Sequence, residues 1–279
     1  MAIVKFVEVC EKIGSGATPR GGKEAYSDEG ISLVRSQNVL DFSFSSDGLV
    51  HINDEQAKKL KNVELHPDDV LLNITGDSVA RACIMDSSFL PARVNQHVAI
   101  VRGKKELVLN SYILYYLQWK KDYLLQLASA GATRNALTKG MIEQLDINLP
   151  SLTEQKRIVA VLDSIQQKIS VNKKINDNLQ QQAAAIFRSW FVDCAPFGGK
   201  APDEWENVTL EDITALVSRG ITPKYADDTD QIVINQKCIR NHTIDLSLAR
   251  THTPKIINEK WLRFGDLLIN STGDGTLGR

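Results

Sequence analysis

The chain has 279 residues, a length that suits two folded units better than one. It contains 43 % hydrophobic and 24 % charged residues, as ordinary globular proteins do, and no apolar run approaches the roughly 20 residues needed to cross a bilayer. Its net charge of −1 excludes a protein that holds nucleic acid by overall charge, so phosphate contacts would have to come from local clusters or from partners.

The cysteines lie far apart and include no CxxC pair: Cys10, Cys83, Cys194 and Cys238. This spacing argues against a zinc ribbon or a disulfide scaffold, and it is typical of a protein in a reducing cytoplasm. The opening MAIVKFVEVCEKIG carries charges from the start, unlike a signal peptide. We therefore expect a cytoplasmic protein without a leader or a membrane contact.

The first 150 residues combine short apolar strands with one helical stretch. ISLVR, DVLLNIT, ACIMD and HVAIVR have strand-like composition between polar, glycine-containing turns. Residues 110–129 have apolar side chains at helical spacing after an Asn-Ser start, and DINLP indicates a closing strand that ends at Pro150. The sequence predicts an α/β (α+β) module over residues 1–150.

Residues 151–195 follow a different pattern. Ser151 and Glu154 form a capping box, and no glycine or proline follows until Pro196. Alternating spacings of four and three residues predict the seam of a coiled coil on a spacer helix of about 38 residues, on the order of 57 Å long. A long helix packed on its own domain is the alternative. The seam residues are Ile158, Leu162, Ile165, Ile169, Asn172, Asn176, Leu179, Ala183, Ile186 and Trp190.

Three blocks of sequence occur twice in the same order. The pairs are FVEVCEKIGSGATP (6–19) with LEDITALVSRGITP (210–223), SLVRSQNVL (32–40) with IVINQKCIR (232–240), and HPDDVLLNITGDSVAR (66–81) with RFGDLLINSTGDGTLGR (263–279). The offset between copies drifts from 204 to 200 to 197 residues, as loop deletions would cause. Residues 196–279 are therefore predicted to be a linker and an incomplete second copy of the module.

Segments around the long helix carry a family signature: LPSLTEQKRIVAVLDSIQQKI (149–169), AIFRSWFVDCAPF (185–197) and PDEWENVTLEDI (202–213). They resemble the central region of the DNA-specificity (S) subunit of type I restriction–modification enzymes. The duplicated modules, each with a Thr-Pro and a later Thr-Gly-Asp, are similar to the two target recognition domains of that family. The resemblance extends over the whole chain.

This resemblance implies recognition of double-stranded DNA, with each module contacting one half of a split sequence and the helix setting their separation. The helix and its flanks would dock methyltransferase (M) subunits, and a restriction (R) subunit with translocase and nuclease activity would join them. The S subunit of the family performs no chemistry. The resemblance therefore implies no cofactor in this chain, with S-adenosylmethionine, ATP and Mg on the partner subunits.

Chains of this family normally complete the second module and add a second long helix, antiparallel to the first, whereas here the second copy stops at the end of its third repeated block. One hypothesis is a homodimer in which two chains pair through their long helices. The other is that residues 208–279 are a folded but incomplete remnant. A coiled-coil scaffold that only assembles partners is the alternative function.

Polar loop residues of the first module are candidate DNA contacts, because arginine pairs with guanine, asparagine or glutamine with adenine, and cations or helix N-termini with phosphate. For each loop, a plain surface turn is the alternative interpretation. The candidates are Thr18, Arg20, Lys23, Arg35, Gln37, Asn38, Ser78, Arg81, Arg93, Thr133, Arg134, Asn135 and Lys139.

For several other residues that could have a function, the sequence favours a structural role. Asp77 of the repeated Thr-Gly-Asp has no companion ligands, so a turn fixed by side-chain hydrogen bonds is favoured over metal binding or catalysis. A lone histidine such as His97 is more often structural than a DNA contact. The aromatic residues near the end of the long helix are expected to pack against a partner rather than stack on bases: Trp190, Phe191 and Phe197.

Enzymatic interpretations fail on missing motifs. A methyltransferase would need a glycine-rich nucleotide loop and an Asn/Asp-Pro-Pro-aromatic motif, but the sequence has no Pro-Pro. A Walker-type loop is absent, and PDD (67–69) has no matching Glu-x-Lys for a nuclease. We therefore predict a non-catalytic protein without a metal site.

Overall fold

The structure is a computed structural model that describes residues 2–19, 25–27, 29–129, 135–240, 242–255, 257–272 and 277–278. The chain divides into two compact units, Met1–Ala183 and Ala184–Arg279. Within the described ranges, no helix has the length and apolarity needed to span a membrane.

The first unit alternates strands with short helices. Its strands are β1 (Ala2–Lys5), β2 (Cys10–Ser15), β3 (Ile31–Val34), β4 (Val50–Ile52), β5 (Val70–Asn73), β6 (Ala82–Ile84), β7 (Ala92–Val94), β8 (Val98–Gly103) and β9 (Asp146–Leu149). Its α-helices are α1 (Phe6–Val9), α2 (Asp54–Lys59), α3 (Asn110–Trp119), α4 (Lys121–Ser129), α5 (Lys139–Glu143) and α6 (Leu152–Phe187), the last of which continues into the second unit.

Two sheets form the body of the first unit. One has four antiparallel strands in the order β2-β8-β5-β6, and the other has the order β4-β3-β7, in which β3 runs parallel to β7. All four residues of β5 are buried, because an apolar core lies on each face of the four-stranded sheet. Leu72 packs in one core with residues of α1, α3 and α4, and Leu71 packs in the other with residues of β3 and β7.

The sequence-based elements of the first unit are largely confirmed. The four predicted strands correspond to β3, β5, β6 and β8, and the predicted closing strand is β9, which pairs with β1. The single helix predicted over residues 110–129 is wrong in one respect. It breaks into α3 and α4 at Lys120, whose ψ of 10° departs from α-helical geometry.

The long helix is confirmed as one unbroken element. α6 has 36 residues, or about 54 Å at 1.5 Å per residue, and a π-helical turn follows at Arg188–Val192. The Ser151 hydroxyl accepts the Glu154 N–H (3.3 Å), as the capping box predicts. The buried Gln155 anchors the first turn, since its side chain accepts from the Leu109 N–H (2.9 Å) and donates to the Leu107 carbonyl (2.9 Å).

The second unit begins within α6 and contains shorter elements. These are α7 (Leu210–Ile213), β10 (Ile232–Val233), β11 (Ile239–Arg240), β12 (Thr243–Ile244) and β13 (Arg250–Thr251). β10 pairs antiparallel with β13, and β11 pairs antiparallel with β12.

Strand pairing in the second unit repeats that of the first. Ser32 lies opposite His51 in the β3–β4 pair, and Ile232 lies opposite Thr251 in the β10–β13 pair. Both partners are displaced by 200 positions (232 − 32 and 251 − 51), the offset of the middle sequence block. The repeat therefore extends from sequence to strand register.

The turns repeat as well. The Asp69 carboxylate accepts the His66 N–H, and the Asp266 carboxylate accepts the Arg263 N–H, each at 2.8 Å. Left-handed backbone also recurs at matching places: Phe42 with His242, Asp68 with Gly265, and Ala80 with Gly278. Four of these six residues are not glycine, and because non-glycine residues rarely adopt positive φ, the matches are evidence of a common backbone template.

Candidate functional site

Loops from distant parts of the first unit meet at one end of the strands of its two sheets. The Gly16 N–H donates to the Asn95 carbonyl (3.0 Å), and the Ile74 N–H donates to the His97 carbonyl (3.0 Å). The Leu137 N–H in turn donates to the Ile74 carbonyl (2.8 Å). We call this surface the loop edge; it comprises residues 15–19, 35–38, 74–81, 95–97 and 135–139.

A chain of side-chain hydrogen bonds runs along the loop edge. The Thr18 hydroxyl donates to the Gln96 side-chain carbonyl, and the Gln96 amide donates to His97 Nε2 (3.0 Å). Since Nε2 accepts, the proton of the neutral ring lies on Nδ1, which is 2.6 Å from the Thr75 hydroxyl. His97 thus links three loops, in agreement with a structural role.

The repeated Thr-Gly-Asp lies in a tight turn between β5 and β6. Gly76 has a φ of +75°, and its N–H donates to the Asn135 carbonyl (3.1 Å). Asn73, which precedes the turn, is fully buried and donates from its side chain to the carbonyls of Ser36 (2.9 Å) and Val39 (3.2 Å). The turn therefore ties the 135–139 and 36–39 segments to β5.

The second unit keeps the same tie. The Asn270 side chain is buried and donates to the Gln236 carbonyl (3.3 Å), at the position that corresponds to Ser36. This shared bond supplies a physical reason for the asparagine that both copies have at this position. In each copy, the asparagine of the third repeated block is hydrogen-bonded to a carbonyl in the polar segment of the second repeated block.

Several predicted DNA contacts lie together on the loop edge. Ser78 and Arg81 are partly exposed at the β5–β6 turn, and Asn135 is exposed beside it. Lys139 forms an exposed ion pair with Glu143 (3.4 Å), so its ammonium group remains in contact with solvent. Thr18 lies partly exposed at the far end of the Gln96 chain.

The RSQN segment (35–38) forms hydrogen bonds mainly with a neighbouring loop. Arg35 Nη2 (2.5 Å) and Gln37 Nε2 (3.1 Å) both donate to the Gly48 carbonyl, which leaves their side chains partly or fully exposed. Asn38 is completely buried, and its amide donates to the Ser45 carbonyl (2.9 Å). The prediction of Asn38 as a DNA contact is therefore corrected, since its polar groups serve this turn.

The prediction of Arg93 as a DNA contact is also corrected. Its side chain is only 8 % exposed and forms an ion pair with Glu64 (3.3 Å). Its guanidinium also donates to the Ala92 carbonyl (2.9 Å). A buried, paired guanidinium cannot reach a DNA backbone without breaking these contacts, so its role is structural. Arg20, Lys23, Thr133 and Arg134 lie outside the described residues.

The predicted seam packs against the core of the first unit only in the first turns of α6. Ile158 and Leu162 are partly buried, whereas every later seam position on α6 is exposed. Ile165 is 52 % exposed, Leu179 55 % and Ile186 58 %. Within the described part of the chain nothing covers this stripe, which is the pattern of a helix that pairs with another helix.

Aromatic rings cluster in the second unit after α6. Phe191 stacks on Trp205 with ring centroids 5.8 Å apart, and Phe197 meets the same indole edge-on at 5.4 Å. Trp190 lies 6.4 Å from Phe191. The rings thus pack on one another within the unit, and all four remain exposed to solvent in part.

Comparisons with known proteins agree with this architecture. Residues 1–181 match the family model described as the type I restriction modification DNA specificity domain. The chain is 24 % identical over 203 residues to the HindI specificity subunit of Haemophilus influenzae, covering 71 % of this chain and 43 % of that protein. It is 25 % identical over 287 aligned positions to the MjaIX specificity subunit of Methanocaldococcus jannaschii, covering 94 % and 65 %.

The fold also resembles a chain from a solved structure described as the basis of complex assembly and conformational transition of the type I R-M system. The TM-score is 0.52 at 24 % identity, over 67 % of this chain and 44 % of that one. The chain belongs to the type I restriction–modification specificity family. It spans from less than half to about two thirds of the length of these relatives.

Proposed function

We propose that this chain recognises double-stranded DNA through the loop edge, as a specificity subunit that directs methyltransferase and restriction subunits to a bipartite site. The observation that supports this is that hydrogen bonds join the segments that carry Thr18, Ser78, Arg81 and Lys139, which are far apart in sequence. These neighbouring segments carry polar side chains that can contact base edges and cations that can contact phosphates, which is the combination a sequence-selective surface needs.

The proposal assigns no chemistry to the chain itself. Within the described residues, no group of three or more His, Cys, Asp or Glu side chains could hold a metal ion. Adenine methylation and cleavage would take place on the M and R subunits, which would carry S-adenosylmethionine, ATP and Mg. The unpaired, buried cysteines suit a cytoplasmic location for such a complex.

The charge of the chain shapes how it would bind DNA. With a net charge of −1, the isolated chain should bind DNA weakly, and affinity should appear on assembly with M subunits that add cations around the duplex. The loop edge would then supply selectivity more than affinity.

The sharpest test is the variant Arg81→Ala in the assembled complex. Affinity for duplex DNA should fall, and the dependence of log affinity on log salt should lose about one phosphate contact. Lys105→Ala is the matched control, because Lys105 is an exposed cation just past the end of β8 that is remote from the loop edge. Fluorescence anisotropy across a salt series measures both.

An unchanged salt slope in Arg81→Ala would remove Arg81 from the interface. If the wild-type complex selects no particular sequence from a pool of random DNA duplexes, the chain is a scaffold that only assembles partners. Sequencing of DNA methylated by the M subunit in complex with the chain would identify the target sequence, which the loop geometry does not specify.

We also propose that two copies pair through α6. The support is the exposed seam from Ile165 to Ile186, together with Asn172 and Asn176 at its centre. Asparagines at seam positions select register and orientation, because an amide opposite an apolar side chain would be buried without a partner. A pair of chains would provide two copies of the first unit, and hence two loop edges for a bipartite site.

A further inference from the structure

One glutamine of the loop edge has an exposed side chain whose amide group is held in place. Gln96 lies in the three-residue connection between β7 and β8. The Thr18 hydroxyl donates to its side-chain carbonyl, and its amide donates to His97 Nε2 at 3.0 Å. An exposed glutamine ordinarily samples many rotamers, whereas these two hydrogen bonds restrict Gln96 to one.

The backbone on both sides of Gln96 is fixed as well. The Asn95 side chain accepts the His97 N–H (2.9 Å), and the Asn95 carbonyl accepts the Gly16 N–H (3.0 Å). The His97 carbonyl accepts the Ile74 N–H (3.0 Å). Because both neighbours of Gln96 are hydrogen-bonded to other segments, the starting point of its side chain is set by the fold.

A glycine allows the segment with Thr18 to reach Gln96. A Cβ on Gly16 would lie 1.8 Å from the Val94 carbonyl oxygen, so any side chain at this position would push residues 15–19 away from the β7–β8 connection. The close approach of these two segments brings the Thr18 hydroxyl against the Gln96 amide.

The hydrogen bonds of this chain are consistent in one arrangement of the amide. The proton of the neutral His97 ring lies on Nδ1, 2.6 Å from the Thr75 hydroxyl, so Nε2 accepts from the amino group of Gln96. Turning the amide over would place its oxygen against a ring nitrogen that carries no proton. The Gln96 oxygen therefore faces Thr18, and its amino group faces His97.

This arrangement leaves one donor and one acceptor on the amide. A primary amide has two N–H donors and two acceptor lone pairs, of which His97 and Thr18 use one each. The major-groove edge of adenine has an N7 acceptor and an N6 amino donor, and no other base of DNA has both kinds of group on that edge. The free donor and acceptor of Gln96 therefore match adenine.

We propose that Gln96 is a specificity-determining residue that binds one adenine of the target through both of these groups. Thr18 and His97 are positioning residues, since they hold the amide before DNA arrives. Binding then does not have to immobilise a flexible side chain, which favours the pairing with adenine. The inference rests on the proposed function, namely that the loop edge contacts DNA, and it names a residue and the base that the residue reads.

Selection from a random pool of DNA duplexes tests this with the chain assembled with M subunits. The wild-type complex should select a sequence that contains an adenine for which Gln96→Ala loses its preference, by about tenfold, while the other positions keep theirs. Gln144→Ala is the matched control and should select as the wild type does. Gln144 is an exposed glutamine whose carbonyl accepts from Lys5, ahead of the start of β2, whereas the loop edge begins at the other end of β2.

A base analogue then tests the contact itself. With 7-deazaadenine, which lacks the N7 acceptor, at that adenine, the wild-type complex should lose affinity about fivefold and the Gln96→Ala complex should lose none. Thr18→Val should weaken the adenine preference, and Thr18→Ser should keep it because serine retains the hydroxyl. In the Gln96→Ala background, Thr18→Val should have no further effect on this preference.

The outcomes distinguish this inference from the proposed function. A wild-type complex that selects no sequence would overturn both. A wild-type complex that selects a sequence, with the same adenine preference in Gln96→Ala, would overturn the role of Gln96 alone. Equal weakening at every position in Gln96→Ala would overturn it too, because the role would then be structural. A wild-type complex that tolerates 7-deazaadenine at each adenine of the selected sequence would also overturn it, whether or not the variants fold.

Discussion

Arg102 binds Asp69 through two parallel contacts, Nε to Oδ1 at 2.5 Å and Nη2 to Oδ2 at 2.6 Å. The carboxylate is fully buried and also accepts the His66 N–H, so one residue fixes both the entry to β5 and its pairing with β8. This ion pair joins the two central strands of the four-stranded sheet. It was not apparent from the sequence, in which the partners are 33 residues apart.

Replacing the arginine should therefore be costly. Arg102→Met leaves the Asp69 carboxylate buried without its cation, and we expect the free energy of unfolding to fall by about 3 kcal/mol. Urea denaturation followed by circular dichroism measures this change.

Lys121→Met is the control, because it breaks the more exposed ion pair of Lys121 with Asp41. Its expected cost is about 1 kcal/mol or less. Equal stability of the two variants would show that the buried pair contributes no more than a surface one.

Asn73 offers a second test of the first unit. Asn73→Leu removes the donor to two carbonyls in a fully buried position, and we expect a loss of about 2 kcal/mol. Asn148→Leu, at an exposed position of β9, should change stability by about 0.5 kcal/mol or less. A mild effect at Asn73 would mean that the 36–39 segment is held by other contacts.

Self-association should depend on the seam of α6. Ile169→Lys places a charge at a seam position that is 44 % exposed in the single chain, so it should leave the fold intact while weakening helix pairing. Sedimentation velocity should show a shift from dimer toward monomer. Gln181→Lys, at an exposed position outside the seam, should sediment as the wild type does. A wild-type chain that is monomeric at micromolar concentration would contradict the pairing.

The buried thiols predict a pH effect. Burial raises the pKa of Cys10 and of Cys83 from 9.0 to about 12, so both remain protonated in the folded chain at pH 8 to 9. The unfolded chain releases these protons at the ordinary pKa. Their contribution to stability is therefore present below about pH 9 and is lost as pH rises toward about 12.

Alkylation with iodoacetamide at pH 8, mapped by mass spectrometry, reports this state directly. Cys10 and Cys83 should label slowly in the native chain and rapidly in urea, because the thiolate is the reactive form. Labelling at the denatured rate under native conditions would show that these residues are not protected by the core.

Much of the architecture could be predicted from local sequence patterns. The capping box at Ser151 and the seam spacing are enough to predict α6, because a helix of this length depends on contacts within four residues. The break at Lys120 was missed, since residues on both sides favour a helix and the position of the break depends on packing. β1 was missed as well, because its partner β9 lies more than 140 residues away.

The candidate site shows the same division. Several polar residues singled out in the sequence lie in segments that the structure brings together at the loop edge, but composition could not tell which side chains face solvent. Arg93 and Asn38 look like Arg81 and Asn135 in sequence, yet the first two are buried and bonded to neighbouring turns. The Thr18–Gln96–His97–Thr75 chain could not be anticipated, because its members come from three separate loops.

The sequence by itself determined that the module is written twice and that a long helix follows the first copy, because repeats and helical periodicity are properties of neighbouring residues along one chain. Only the tertiary structure decided which polar groups are available to a partner and which are buried in turns of the first unit. Burial depends on strands and loops brought together from distant positions, and that information is carried by packing and not by any single segment.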